Sequence, residues 1–296
     1  MPPKKKSQQN SPNPPNPQNL TNVIICGNNA EILAQIPEDY VHLTVTSPPY
    51  DKLRDYHGFN FDFRAIAAEL FRITKPGGVV VWIIGDSTIN GSETGSSFKQ
   101  ALYFKEMGFL LHDTMIYQKS GFAFPSRNRY HQIFEYMFVL SKGNPTTFNP
   151  IKDKPNKSQF TFSKKRRHKD GTMSHQQDTS RISVEDFGMR FNIWRYKTGR
   201  PHTTPDNAAY QHPALFPEKL ARDHILSWSN PGDVVLDPMN GAGTTTKMAY
   251  SLGRCFIGID ISQDYCQIAL ERLQSVEYDL QTEENSIHPT ILTAFR

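Results

Sequence analysis

Residues 233–245 read DVVLDPMNGAGTT, and this stretch decides the fold. Its first half places three apolar residues between two acids, which is typical of a short buried strand. Its second half is a G-x-G turn built on Gly241 and Gly243, and it predicts a helix over 244–252. The run CFIGIDI at 255–261 predicts another buried strand. A strand, a glycine turn, a helix and a second strand in this order indicate a parallel sheet covered by helices.

The same alternation runs through most of the chain. Further strands are predicted over 23–26, 42–46, 79–84, 109–118 and 133–140, and further helices over 29–35, 61–74, 97–107, 217–228 and 263–273. The run VVVWII at 79–84 is apolar on both faces, as a central parallel strand requires. We therefore predict an α/β fold with a doubly wound, mostly parallel sheet.

Composition bounds the class of protein. The chain has 296 residues, 37% hydrophobic and 21% charged, which suits one large α/β domain with an insert. It has no long apolar run and no apolar segment behind its basic N-terminus, so neither a membrane span nor a secretory signal is expected. Three cysteines without metal-ligand spacing predict no disulfide framework and no metal site, and they fit a reducing cytoplasm.

Five segments differ in composition. Residues 1–19 contain six Pro and are expected to be a disordered tail. Residues 20–140 and 213–276 carry the strand–helix alternation and form two halves of one domain. Residues 141–212 are polar, basic and rich in turns, which indicates an inserted recognition segment. Residues 277–296 are expected to be a C-terminal tail.

Charge is distributed unevenly along the chain. The net charge is +4, yet residues 141–212 carry 14 Lys and Arg against 6 Asp and Glu, and residues 1–22 add three Lys without an acid. The rest of the chain is therefore acidic. A basic segment on an acidic body fits a polyanion partner, and on charge alone a solvated basic loop fits equally well.

An acid stands at the end of the second predicted strand of the opening stretch. Asp260 lies 17 residues after Gly243, where a carboxylate can accept hydrogen bonds from both ribose hydroxyls of a nucleoside. The glycine spacing matches neither a dinucleotide fingerprint nor a phosphate loop, and no basic cluster lines the turn. These features favour a nucleoside ligand without phosphates, of which S-adenosylmethionine is the commonest. The alternative is a tight turn in which Asp260 caps a helix.

A second loop follows the predicted strand at 42–46. Thr46-Ser47-Pro48-Pro49-Tyr50 contains two prolines, which fix the backbone and remove two N–H donors. A rigid loop of this kind presents carbonyls, a hydroxyl and an aromatic ring, and these groups suit a planar ring bearing an amino group. The alternative for the two prolines alone is an ordinary rigid turn after a strand.

This five-residue loop resembles the catalytic motif of the amino-methylating DNA methyltransferases. Ser47 resembles the cytosine-N4 branch, since the adenine-N6 branch usually has Asp or Asn there. Segments 237–245, 212–220 and 133–143 also resemble motifs of that family, although Met239 stands where Phe is usual. The catalytic motif precedes the cofactor motif with a variable basic segment between them, which is the circularly permuted order of the β class. The resemblance covers about residues 22–276.

The resemblance implies a Rossmann-like methyltransferase fold that binds S-adenosyl-L-methionine and acts on double-stranded DNA. It implies a catalytic loop of Ser47, Pro48, Pro49 and Tyr50. It also implies cofactor-binding roles for Asp237, Pro238, Gly241, Gly243, Thr244, Asp260, Phe216, Pro217 and Leu220.

DNA contacts are predicted in three places. Loop 121–130 mixes aromatic residues with Arg127 and Arg129, which suits base stacking and phosphate binding, although an ordinary hairpin end is the alternative. The run at 164–169 predicts phosphate contacts through Lys164, Lys165, Arg166 and Arg167. Lys197, Arg200 and His202 are candidates for contact with base edges.

The sequence therefore predicts a site-specific DNA methyltransferase of cytosine-N4. Adenine-N6 methylation, methylation of RNA and a catalytically idle DNA-binding protein are the alternatives. A cognate restriction endonuclease is expected as a functional partner, and the protein is expected to be a monomer or weak dimer in the bacterial cytoplasm, associated with the nucleoid and not with membranes.

Overall fold

A nine-stranded sheet forms the centre of the protein. The computed structural model describes residues 20–49, 61–121, 127–157, 160–161, 165–175, 182–276 and 290–293. The strands are β1 Val23–Cys26, β2 Val41–Thr46, β3 Thr74–Ile84, β4 Leu110–Lys119, β5 Phe134–Ser141, β6 Ile193–Tyr196, β7 Val234–Asp237, β8 Cys255–Asp260 and β9 Thr290–Thr293. Their order across the sheet is β6-β4-β5-β3-β2-β7-β8-β1-β9. Only β5 pairs antiparallel with its neighbours, which confirms a mostly parallel sheet.

Helices cover both faces of the sheet. They are α1 Asn29–Leu33, α2 Phe63–Ile73, α3 Ser96–Glu106, α4 Glu218–Trp228, α5 Thr244–Ser251 and α6 Gln263–Gln274. Buried side chains of α1, α2 and α3 pack on one face, and those of α4, α5 and α6 pack on the other. The predicted doubly wound α/β fold is thus confirmed, and it brings the carboxyl ends of β2, β7 and β8 to one edge.

Local chemistry explains where these helices begin. The side chains of Asn28, Asp62 and Ser262 accept hydrogen bonds from backbone amides in the first turns of α1, α2 and α6. Helix α5 instead has Gly243 as its N-cap, a residue with a left-handed backbone and no side chain to accept a hydrogen bond. One boundary differs from the prediction, because β3 starts at Thr74, directly after α2, and not at residue 79.

The predicted insert is built from short strand pairs. Lys152–Pro155 pairs with Phe187–Met189, Phe160–Thr161 with Ile182–Ser183, and Lys165–Arg167 with Met173–His175. Its far end differs from the expectation, because 193–196 joins the main sheet as edge strand β6. The cause is alternation in the strand: Trp194 and Tyr196 are buried against the α4 face, whereas Ile193 and Arg195 are exposed.

The predicted C-terminal tail also contains structure. Residues 290–293 form β9, which pairs in parallel with β1 at the other edge of the sheet. The predicted N-terminal tail lies outside the described residues. Within the described ranges, no helix is long and apolar enough to span a bilayer. A fourth short strand pair, Thr88–Ile89 with Ser92–Glu93, follows β3.

Candidate active site

The two loops singled out in the sequence lie side by side. Strands β2 and β7 are neighbours in the sheet and end at the same edge. Thr46 donates a hydrogen bond from Oγ1 to Oδ1 of Asp237 at 2.7 Å, although 191 residues separate them. Thr245 Oγ1 donates to the Val45 carbonyl at 3.0 Å. Buried hydrogen bonds thus join the end of β2 to both sides of the glycine turn.

Asp237 is almost fully buried at the end of β7. Burial raises the pKa of its carboxyl to about 6, against the opposing effect of the hydrogen bonds from Thr46 and from the Met239 amide. The nearby Asp260 carboxylate raises the pKa further. The carboxyl of Asp237 therefore fixes the start of the turn, and its burial disfavours the charged form.

The glycine turn needs its glycines. Gly241 and Gly243 have φ of 49° and 76°, the left-handed region that favours glycine. A Cβ at Gly243 would lie 2.7 Å from Ala269 Cβ, and one at Gly241 would lie 2.8 Å from His212 Nε2. The turn is therefore held tightly between α6 and the segment that precedes α4.

Asp260 lies beside this turn at the end of β8. Its Oδ2 accepts from the Gly241 amide at 2.7 Å, and its Oδ1 accepts from the Ser262 amide at 2.9 Å. Burial raises the pKa of this carboxyl, and the backbone amides of Ser262, Gly241 and Ile261 oppose the shift. Because a carboxylate has about four acceptor positions, Asp260 can still accept from a ligand. Asp260 thus bonds the amide of Ser262, the residue that caps α6, and does not cap the helix itself, while its carboxylate still fits a ribose.

The turn also holds a buried donor. Asn240 Nδ2 is buried and has no hydrogen-bond partner among the described residues, whereas its Oδ1 accepts from Thr246 at 3.0 Å. The turn thus offers hydrogen-bond acceptors on Asp260, an unused amide donor on Asn240 and a closely approachable glycine backbone. These groups together fit a nucleoside cofactor.

The catalytic loop leaves the sheet directly after Thr46. Ser47 and Pro49 are half-buried, and Pro48 is buried. These residues lie at the edge that the glycine turn shares. Tyr50, the predicted stacking ring, lies outside the described residues, so its role stays a prediction.

The other predicted cofactor residues occupy different surroundings. Pro238 accepts at its carbonyl from Asn29 Nδ2 at 3.2 Å, and Thr244 is the buried first residue of α5. Phe216 is half-buried and packs on the α4 face of the core, next to buried Pro217. Leu220 has no exposed surface and packs within the core, and its contact with the cofactor stays a prediction.

The predicted DNA contacts divide into two groups. Lys197 and Arg200 are exposed just after β6, at the carboxyl edge of the sheet, and Arg200 stacks over the Tyr210 ring at 4.3 Å. Arg127 is exposed, whereas Arg129 donates to Thr88 Oγ1 at 3.2 Å and to the Gly91 carbonyl at 2.7 Å. The structure thus gives Arg129 a role in joining loop 121–130 to the strand pair after β3.

The basic run lies at the base of a hairpin in the insert. Lys165, Arg166 and Arg167 form one of its strands, and the Arg167 side chain is exposed. Lys164 lies outside the described residues. The strand pairing places consecutive cations on an extended backbone, which suits contact with a phosphate chain.

Sequence reasoning missed two polar clusters. Asp86, nearly buried after β3, accepts from the Ser97 amide at 2.9 Å and from the Ser97 hydroxyl at 2.5 Å, so it shapes the start of α3. Arg272 is buried under the glycine turn with two charged partners, Asp206 and Glu218. The only local sequence signal for the first cluster is Gly85, the residue before Asp86. The second cluster has no local sequence signal.

Comparison with known proteins places this site in a family. A family model described as DNA methylase matches residues 41–271. The orphan methyltransferase M.BamHII of Bacillus amyloliquefaciens is 57% identical over 242 residues, which cover 79% of this chain and 89% of that protein. The type II methyltransferase M.BglII of Bacillus subtilis is 25% identical over 292 residues, which cover 92% of this chain and 73% of that protein.

Two solved structures share the fold. TTHA0409 of Thermus thermophilus, solved with S-adenosyl-L-methionine, matches with a TM-score of 0.61 at 25% identity, over 92% of this chain and 98% of its own. The cytosine-N4-specific PvuII DNA methyltransferase matches with a TM-score of 0.61 at 17% identity, over 88% of this chain and 90% of its own.

The doubly wound sheet with a glycine turn at its carboxyl edge, together with the likeness to TTHA0409, is that of the S-adenosylmethionine-dependent methyltransferases. The chain belongs to the DNA methylase family, as the match over residues 41–271 and the 57% identical relative show. It is therefore a DNA methyltransferase, and S-adenosyl-L-methionine is its cofactor.

Proposed function

We propose that this chain methylates the exocyclic 4-amino group of cytosine within a specific duplex sequence. The observation that carries the proposal is the 2.7 Å hydrogen bond from Thr46 to Asp237, because it sets the Ser-Pro-Pro loop directly beside the glycine turn. Ser47 supports cytosine over adenine, since the motif of the adenine branch usually has Asp or Asn at this position.

The catalytic loop activates the amine. The cytosine amine is a weak nucleophile because its lone pair is delocalised into the ring. The Ser47 hydroxyl and the Pro48 carbonyl accept its two hydrogens and hold them out of the ring plane, which localises the lone pair. The backbone of this loop is rigid because both prolines have a fixed φ. Tyr50 stacks on the base.

Methyl transfer then depends on orientation. Bound S-adenosylmethionine supplies a methyl group on a sulfonium. The N–CH3 bond forms as the S–CH3 bond breaks in line, and the proton of the amine leaves to water. Ser47 and Pro48 aim the amine, and this alignment supplies most of the acceleration.

The cofactor lies along the glycine turn in this proposal. Gly241 and Gly243 let the backbone approach it closely, and the Asp260 carboxylate binds its ribose hydroxyls. Asp237 holds the turn against β2, so the methyl donor and the catalytic loop stay in register.

The DNA enters at the same edge. The target amine is inaccessible in a duplex, so the cytosine is flipped out, at a cost of a few kcal/mol. Lys197, Arg200 and Arg127 are exposed near this edge and contact the DNA, and the hairpin with Arg167 binds phosphates.

A paired restriction endonuclease stays a prediction from the sequence. The 57% identical relative is named an orphan methyltransferase, and the relatives at 25–27% identity are named type II methyltransferases. The likeness to type II enzymes supports methylation at a fixed short sequence, which sequencing of the methylated positions tests.

The decisive experiment identifies the modified base. Mixed-sequence duplex DNA is incubated with the protein and S-adenosylmethionine carrying a deuterated methyl group, digested to nucleosides and analysed by mass spectrometry. We expect labelled N4-methyldeoxycytidine. Labelled N6-methyldeoxyadenosine would replace the proposal with the adenine alternative, and DNA that carries no label would refute it.

A further inference from the structure

Four charged side chains meet beneath the glycine turn and form what we call the buried charge cluster. Its members are Arg272 of α6, Lys247 of α5, Glu218 of α4 and Asp206 of the segment before α4. Their side chains are 2%, 11%, 14% and 21% exposed, respectively. Two cations and two acids balance the charge, so the cluster can remain buried in its ionised form.

Arg272 is the member that also contacts the turn. Its Nη1 donates to the carbonyl of Ala242, the residue between Gly241 and Gly243. Its Nη2 donates to Glu218 Oε1 at 2.7 Å, and its Nε donates to Asp206 Oδ2 at 2.8 Å. One guanidinium therefore bonds the turn and both carboxylates at once, which its planar fork of donors allows.

Lys247 shares those carboxylates without contacting the turn through its side chain. Its ammonium donates to Asp206 Oδ2 at 2.7 Å and to Glu218 Oε1 at 2.9 Å. The two cations thus balance the same acids, and only Arg272 adds the bond to Ala242. Both cations therefore balance the charge of the acids, whereas Arg272 alone of the two also supports the turn.

We propose that Arg272 is a positioning residue for the cofactor, because it holds the Gly241–Gly243 turn in its left-handed conformation from below. The Ala242 carbonyl is buried, so without Arg272 it loses its charged donor and the turn relaxes toward other conformations. The consequence for affinity rests on the placement of S-adenosylmethionine at this turn, which is proposed above.

A pair of variants tests the two roles separately. Arg272→Lys keeps the charge, but one ammonium cannot reach the turn and both carboxylates. Lys247→Met removes a charge and leaves the bond to Ala242. We expect Arg272→Lys to weaken S-adenosylmethionine binding about tenfold in calorimetry, as the loss of a charge-assisted hydrogen bond implies. Lys247→Met should lower the Tm and leave the affinity within about twofold.

Hydrogen exchange in the absence of cofactor provides a second measurement. The amides of residues 241–245 should lose protection in Arg272→Lys and keep it in Lys247→Met. Arg272→Gln is the second variant, since its amide is too short to bridge the turn and both acids, and it should behave as Arg272→Lys does.

Two outcomes would overturn this inference. One is wild-type protection of the turn and wild-type affinity in both Arg272 variants. The other is an affinity that falls in step with Tm in all three variants. Asp260→Ala is measured alongside: if it weakens binding while the Arg272 variants do not, the cofactor placement stands and only the role of Arg272 fails. If none weakens binding, the placement fails.

Discussion

Asp260 accepts hydrogen bonds from backbone amides and, in the proposed function, from two ribose hydroxyls. Asp260→Ala should therefore weaken S-adenosylmethionine binding by about 1–3 kcal/mol, the range for hydrogen bonds to a charged group. Asp264→Ala is the matched control, because it removes an exposed carboxylate from the first turn of α6. Isothermal titration calorimetry should show near wild-type affinity for the control. Equal affinities for both variants would remove Asp260 from the site.

The buried side chain of His224 should make the folding stability depend on pH. It is fully buried in α4, and burial, with a smaller contribution from Arg190, lowers its pKa to about 3. The imidazole stays neutral in the folded protein, whereas in the unfolded chain it is protonated below about pH 6.5. The free energy of unfolding therefore falls by about 1.4 kcal/mol for each pH unit between pH 6.5 and pH 3. Replacement with Leu removes this dependence and the unpartnered Nδ1.

Urea unfolding at pH 7.5 and 5.5 measures that effect. Between these values, wild type should lose about 1.4 kcal/mol more stability than His224→Leu, because one pH unit lies below the unfolded pKa. His112→Leu is the control, since this histidine is exposed. An equal loss in wild type and His224→Leu would contradict a buried neutral imidazole.

The hairpin of Lys165–Arg167 and Met173–His175 is the element on which phosphate binding is predicted. Replacing Lys164, Lys165, Arg166 and Arg167 with Gln should weaken binding to all duplexes alike. The slope of log affinity against log salt should become shallower by about 0.9 for each phosphate that the protein no longer neutralises. Lys105→Gln with Arg222→Gln, on exposed helical surfaces, should leave the slope unchanged. A changed target sequence at constant slope would mean that the run reads bases.

Most elements of the sheet could be predicted from sequence because their signals are local. Strands β1 and β7 and helix α5, for example, are predicted by apolar runs, glycines and capping residues that lie within a few positions of one another. Edge strand β6 could not, because its pairing with β4 joins Ile193 to Ile116, and the insert around it has no strand–helix rhythm. The buried charge cluster was invisible for the same reason: Arg272 and Asp206 are 66 residues apart and carry no motif.

The catalytic loop and the glycine turn belong to different parts of the chain that share one sheet. β7 and β8 from the C-terminal half lie between β2 and β1 from the N-terminal half. The single sheet therefore needs strands from both halves, and the site forms where β2 lies beside β7. This arrangement explains how motifs separated by 191 residues are joined by a buried hydrogen bond.

That arrangement predicts that cofactor binding and methyl transfer can be separated by mutation. Gly243→Ala places a Cβ 2.7 Å from Ala269 Cβ and strains a left-handed residue, so it should abolish most S-adenosylmethionine binding. Pro48→Ala frees the backbone that aims the carbonyl and should keep cofactor affinity. It should still slow single-turnover methyl transfer about a hundredfold, because small misplacements of a reacting group cost that much.

Gly253→Ala is the control for the glycine variant. Gly253 has φ of 72°, almost the same as Gly243, but a Cβ there would meet nothing within 4 Å. It should therefore lower stability to a similar degree through backbone strain and leave both cofactor affinity and transfer intact. Cofactor affinity is measured by calorimetry, transfer with a tritiated methyl group and stability by thermal unfolding. If Pro48→Ala transfers methyl groups at the wild-type rate, the Ser-Pro-Pro loop does not orient the amine. If Gly243→Ala and Gly253→Ala bind the cofactor equally well, the glycine turn is a structural turn only, and the ligand lies elsewhere along the carboxyl edge.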